Sequence, residues 1–246
     1  MGISFWVFQL LKFIVLALVA YVSGLLAQKM ILRVNYTRKI NHFAISFLPE
    51  LLMVAFAISN STTNILVSTF ISILYFVFFT KPIRSSVPLF ATMFASIDRP
   101  EDRPYTLRWF MIQYFAAILV MIPVYFYFSS IGKISMVYIA LFINNIGDGL
   151  AEPVGVKFGK HKYTVKAILT NKKYTRSIEG SLCIFVSAIV LLFVCRNDFT
   201  MPQLILAFAI VPLVATIAEA KSPHTMDAPF IIGTSALMLA IILKYF

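Results

Sequence analysis

Apolar residues run along this chain in blocks of about twenty, the length a helix needs to cross a bilayer core. Short loops rich in lysine, arginine, proline and asparagine separate them. Eight blocks stand out: 3–27, 43–59, 65–80, 107–128, 136–156, 178–195, 203–220 and 228–245. Within them the apolar positions are nearly continuous, as expected for helices surrounded by lipid or protein on all sides. The pattern predicts an all-α, polytopic integral membrane protein of about eight transmembrane helices. The third block is the shortest, so seven spans with a re-entrant segment is a second solution. No internal repeat or soluble segment interrupts the pattern, and 1–246 reads as a single membrane domain.

Composition agrees. Of 246 residues, 60% are hydrophobic and only 13% charged, against about 25% charged in an ordinary soluble domain. A water-soluble globule has too little interior to hide that excess. A soluble enzyme, a disordered chain and a disulfide scaffold are excluded. Cys183 and Cys195 share one apolar block and read as small hydrophobic fillers. The first block lacks a basic flank before it and a small-residue cleavage site after it, so it reads as a retained helix.

The net charge is +11. In a soluble protein that would point to nucleic acid. Here Lys133, Arg196 and Lys244 lie toward one side, Lys12 lies inside the first block, and every other basic residue falls on the opposite side. Basic loops are retained in the cytoplasm. The asymmetry therefore puts loops 28–42, 81–106, 157–177 and 221–227 inside and both termini outside, with anionic lipid head groups as partners and no nucleic acid. Asn-x-Thr triplets at Asn35 and Asn60 are weak glycosylation signals, and Asn35 falls on the inner side.

Acidic residues carry the chemistry. Glu50, Asp148, Glu152, Glu179, Glu219 and Asp227 lie within or at the ends of apolar blocks. A carboxylate there costs about 2.5–3.5 kcal/mol at a helix centre, so such residues are candidates for function. Glu50 also has a structural explanation, an ion pair with Lys12. Asp148 and Glu152 are four apart and share a helix face, in Asn144-Asn145-Ile146-Gly147-Asp148-Gly149-Leu150-Ala151-Glu152-Pro153. Pro153 withholds a backbone donor and predicts a broken helix there. With the amides of Asn144 and Asn145 and the freed carbonyls, these carboxylates make an oxygen-rich set suited to Mg²⁺. A proton or sodium site in a transporter would use similar parts.

Gly155, Gly159, Lys160, His161 and Lys162 follow directly, a glycine-punctuated basic stretch that can face phosphate or simply fix topology. The spacing is not that of a Walker A loop. Ser177 is placed to cap the helix that begins near Glu179. Asp227, two residues before Pro229, reads equally as an N-cap.

Together these residues resemble the CTP-dependent polyprenol kinases, the family of phytol and dolichol kinases, related to membrane cytidylyltransferases. Gly147-Asp148 through Gly155 and Phe158-Gly159-Lys160-His161 resemble its first block. Arg176-Ser177-Ile178-Glu179-Gly180-Ser181 is similar to its Lys-Ser-x-Glu-Gly-Ser/Thr block, and Glu219-Ala220 through Asp227 to its third. Arg38-Lys39-Ile40-Asn41-His42 is a weaker fourth match. Arg176 replaces the usual lysine, Ala228 the usual asparagine, and Glu152 is an added acid.

The resemblance implies γ-phosphoryl transfer from CTP to a membrane-embedded isoprenoid alcohol at the cytoplasmic face, within a catalytic core of about 136–230. It implies Asp148, Glu179, Glu219 and Asp227 as catalytic carboxylates. Gly155, Gly159, Lys160, His161, Lys162, Arg176, Ser177 and Gly180 would hold the nucleotide, and Asp148, Glu152 and Asn145 the Mg²⁺. A phosphatidate cytidylyltransferase or a diacylglycerol kinase would use related parts. A secondary transporter is the non-enzymatic alternative, although inverted repeats, common in transporters, are not evident.

Overall fold

A computed structural model describes residues 2–59, 61–168 and 171–246; Asn60 of the second glycosylation triplet lies outside them. The chain is overwhelmingly helical. Its helices are α1 (Ile3–Gln28), α2 (Val34–Ala55), α3 (Thr62–Tyr75), α4 (Lys81–Ser86), α5 (Pro88–Ala95), α6 (Thr106–Ser130), α7 (Ser135–Phe158), α8 (Ile178–Val194), α9 (Met201–Lys221) and α10 (Asp227–Tyr245). Each predicted span overlaps one of these helices, although 43–59 runs past the end of α2 and 65–80 continues beyond α3 into a 3₁₀ segment, Phe76–Phe79. Among the described residues, however, five stretches rather than eight are long and apolar enough to cross a membrane: Ile3–Gln28, Thr62–Phe79, Thr106–Ser130, Met201–Lys221 and Asp227–Tyr245. α2 begins early and takes in Arg38 and Lys39, assigned to a loop above; α7 carries Asp148, Glu152 and Lys157; α8 has 17 residues.

Two further features depart from expectation. The basic stretch after α7 is not a loop but an antiparallel hairpin, β1 (Lys162–Lys166) with β2 (Lys173–Ser177). α7 also runs unbroken through Pro153 to Phe158. The proline forfeits one helical bond without ending the helix.

The chain packs as two compact units, Met1–Trp109 and Phe110–Phe246, where the sequence pattern shows one continuous domain. In the first, α1 packs on α2 and α5, and Gly24 of α1 lies directly against the Thr92 backbone, leaving no room for a side chain. Polar residues stitch α2 to the segment after α5. Thr37 Oγ1 donates to the Ser96 carbonyl at 2.7 Å, and Asn41 Nδ2 donates to Ser96 Oγ at 3.1 Å. Arg99 pairs with Asp102 at 2.8 Å, with Arg38 3.8 Å from the same carboxylate. The weak fourth motif thus contributes Arg38 and Asn41 to this network. The anticipated Lys12–Glu50 pair does not form; Lys12 Nζ lies 5.5 Å over the Phe8 ring.

In the second unit α7, α8, α9 and α10 pack around a core in which Ala140, Ala188, Ala207 and Ala215 are completely buried. Small residues at helix contacts let backbones approach closely, the packing that substitutes for hydrophobic drive inside a bilayer. α7 and α8 make the tightest contact. A Cβ on Gly147 would lie 2.9 Å from Ile184 Cα, and one on Gly180 would lie 2.7 Å from the Ala151 carbonyl oxygen. Gly147→Ala should therefore spread α7 from α8 and destabilise by about 1–3 kcal/mol, the usual cost of overpacking, read as a lower Tm in detergent. Cys183 and Cys195 are half-buried, as expected of fillers.

Candidate functional site

One end of the second unit gathers the end of α7, the hairpin, the start of α8 and the α9–α10 turn. Its centre is Arg176. Alternation along the hairpin turns Tyr163, Val165, Tyr174 and Arg176 inward and Lys162, Thr164, Lys166, Lys173 and Thr175 outward. The inward face seats Arg176 opposite Tyr163.

Arg176 Nη1 lies 3.3 Å from Glu219 Oε1, donates to the Glu219 carbonyl and donates to Ser222 Oγ at 3.1 Å. Its Nη2 lies 3.5 Å from Asp227 Oδ1, and neither of these two buried atoms makes a hydrogen bond. The charge of Asp148, itself buried on α7, also reaches Arg176 and Glu219. Burial works against the guanidinium charge, but Asp227 and Glu219, helped by Tyr163 and Asp148, outweigh it and hold the Arg176 pKa above its ordinary value. The guanidinium stays charged at any physiological pH. Asp148, Arg176, Glu219 and Asp227 thus come together from three distant stretches of sequence.

Sequence reasoning missed Tyr163, Ser181 and Ser222, and named Asn144 only as one of the two amides of the oxygen-rich set. Tyr163 OH lies 2.6 Å from Ser181 Oγ and donates to Glu219 Oε2 at 3.4 Å. Burial first, then the Glu219 carboxylate, raises its pKa, against the Ser181 hydrogen bond and the Arg176 charge. Asn144 Oδ1 is buried without a hydrogen bond, and its Nδ2 donates to Asn145 Oδ1. It stands one turn before Asp148 on the same face. The duplicated Lys-Tyr-Thr at 162–164 and 173–175, with its period of two, was the available signal for the hairpin.

Other predicted residues sit elsewhere. Glu179 does not join the cluster. It accepts the His161 backbone N–H at 3.2 Å and contacts His161 Nδ1 at 2.8 Å, tying the exposed end of α7 to α8. Ser177 caps α8, accepting the Gly180 N–H at 3.1 Å. Gly155, Gly159 and Gly180 surround that serine: a Cβ on Gly155 would lie 2.9 Å from Ser177 Oγ, and one on Gly159 2.8 Å. These glycines serve close packing of α7 against the α8 start. Lys160 and Lys162 are exposed, and Lys162 lies on the hairpin face away from Arg176. Glu152 is half-buried, one turn beyond Asp148. Asp227 is the first helical residue of α10, not its N-cap, which is Met226; the pull of Arg176 turns its carboxylate inward. The α9–α10 turn is pinned to the hairpin by His224, which stacks on Tyr174 with ring centroids 3.4 Å apart and donates its backbone N–H to the Lys166 carbonyl.

The oxygen chemistry of Asp148, Asp227, Asn144 and Asn145 suits a hard cation, and the buried Asp227 Oδ1 and Asn144 Oδ1 have unused acceptor capacity. Among the described residues no three acidic, histidine or cysteine side chains converge as a ready-made metal cage. Mg²⁺ in nucleotide sites is commonly held by one or two carboxylates together with substrate phosphates, and the residues present fit that mode. No family model, curated protein or solved structure matches the chain.

Proposed function

We propose that this protein is a multi-pass membrane kinase that transfers the γ-phosphoryl group of CTP to the hydroxyl of an isoprenoid alcohol of the phytol, polyprenol or dolichol type. The observation that carries the reading is the convergence of the three motif blocks on Arg176. Asp148 comes from the first, Arg176 from the second, Glu219 and Asp227 from the third.

Phosphoryl transfer asks a protein mainly for positioning and for charge placed where the phosphates go. Arg176 offers a planar fork of donors matched to phosphate oxygens, at present shared between Glu219 and Asp227. Asp148 and Asp227, with Asn144 or Asn145, would hold Mg²⁺, which supplies charge neutralisation of the phosphates when bound. The alcohol oxygen attacks the γ-phosphorus, the bond to the β-phosphate oxygen breaks, and CDP departs. The hydroxyl proton passes to Asp148 or Glu219. Tyr163 and Ser181 keep the Glu219 carboxylate in place. The hairpin and the ends of α9 and α10 hold Arg176, Glu219 and Asp227 at the cytoplasmic surface, Asp148 stands further along α7, and the apolar tail of the alcohol lies between helices. The eight-span topology, with basic loops inside and both termini outside, belongs to the same reading.

The decisive experiment supplies purified protein with labelled CTP or ATP, Mg²⁺, and phytol, geranylgeraniol, dolichol, undecaprenol or diacylglycerol. Phosphorylation of an isoprenoid alcohol with release of CDP, faster with CTP than ATP, is expected. Pyrophosphate release with phosphatidate would instead identify a cytidylyltransferase, and turnover of diacylglycerol alone a diacylglycerol kinase. Substrate-coupled ion flux in liposomes without any turnover would identify a transporter. A single cysteine at Thr164 should label from the cytoplasmic side and one at Ser130 from the opposite side. Labelling of both from one side would overturn the topology.

A further inference from the structure

Tyr163 and Arg176 account for the inner face of the hairpin, but its outer face has no part in the proposed reaction. That face presents Lys162, Thr164 and Lys166 on β1 and Lys173 and Thr175 on β2, all exposed. Lys166 and Lys173 stand directly opposite each other in the ladder, and Thr164 opposite Thr175. Like charges facing across two strands destabilise a sheet, and a two-stranded hairpin has little stability to spare. Lys162, Lys166 and Lys173 pair with no carboxylate among the described residues, and the nearby Glu179 is engaged by His161. The arrangement is self-repelling until an anion meets it.

We infer that the outer face of the hairpin rests on the anionic phospholipid head groups of the membrane surface, clamping the Arg176 cluster against the bilayer. This rests on the membrane-spanning reading above. The chemistry favours a charged surface over one discrete ligand. Lysines are strongly hydrated point charges on flexible stems, without the fork that grips a single phosphate. Lys162 and Lys166 are four residues apart on one strand, about 13 Å at the usual rise, so the charges are spread rather than focused. Exposed Phe158, Ile168 and Ile178 flank the two strands in sequence, an apolar complement to the lysines that suits the boundary between head groups and acyl chains. The inner face matters equally. His224 and Arg176 tie the hairpin to the α9–α10 turn, so holding the hairpin also holds Glu219 and Asp227.

Each lysine in the field of an anionic leaflet favours contact on the order of fivefold, and three together on the order of a hundredfold. The test is hydrogen–deuterium exchange of the 160–177 amides in full-length protein reconstituted in nanodiscs of phosphatidylcholine alone or mixed with phosphatidylserine. Slower exchange in the anionic discs is expected, reversed by high salt and absent from the triple variant Lys162→Gln, Lys166→Gln, Lys173→Gln. Unchanged α8 amides in that variant would establish that it is folded. Equal exchange in both discs would overturn the proposal while leaving the spanning reading intact. Protection in neutral discs by added CTP or inorganic triphosphate, without any response to lipid, would also overturn it and give the face to a soluble polyphosphate. Failure of the chain to enter neutral discs would instead sink the spanning reading, and this inference with it.

Discussion

Arg176→Met should cost about 3–5 kcal/mol of stability and abolish the phosphoryl transfer proposed above. The side chain fits the space, but the cation that pairs with both Glu219 and Asp227 is gone. Breaking a buried ion pair from one side is severe because the remaining charge stays buried without compensation. Here two carboxylates would be left, with Asp148 adding to their repulsion. The measurement is Tm in detergent together with turnover. Combining the change with Glu219→Gln should recover part of the lost stability and none of the activity, because one repulsive charge is removed while the phosphate fork stays absent. Arg176→Lys should keep most of the stability and a reduced but measurable rate, since it preserves the charge but not the paired donors. A fully active Arg176→Met would remove Arg176 from the phosphate site.

Asp148→Asn should lower turnover by about 10²–10⁴-fold, the span that loss of a general base produces, while leaving the fold in place. The substitution preserves size and hydrogen-bonding groups and relieves the cost of a charge held in an apolar helix. Tm should stay level or rise. Glu50→Gln is the control: it lies on α2 in the other compact unit and outside the three motif blocks, so turnover should not change. Wild-type activity in Asp148→Asn would reduce the cluster to a structural ion network. The pair of variants separates the charge chemistry from the packing, because Arg176→Met damages both and Asp148→Asn only the first.

Most of the helices are legible in the sequence, since uninterrupted apolar blocks of helix length admit few other solutions. The motif acids are legible too, because each breaks the pattern at an energetic cost that demands a reason. Their extent was harder. α2 absorbs Arg38 and Lys39 because a helix that finds partners for its polar residues, as Arg38 does in Asp102, need not stop at the edge of an apolar block. The same local logic misjudged Pro153: the cost of one lost helical bond is a local quantity, and the close packing of α7 against α8 holds the helix through it.

The sequence by itself determined an almost entirely helical chain of apolar blocks, a strong bias of basic residues to alternate loops, and a short list of acids out of place. Composition and periodicity are properties of single segments, and single segments express them. Only the tertiary structure decided which acids meet. Glu179 and Glu219 look alike along the chain, each at a helix end beside a small residue. One is drawn out to the His161 backbone, the other in to Arg176. That sorting depends on the face to which the hairpin turns residue 176, and hence on a register between strands eleven residues apart that no local preference fixes.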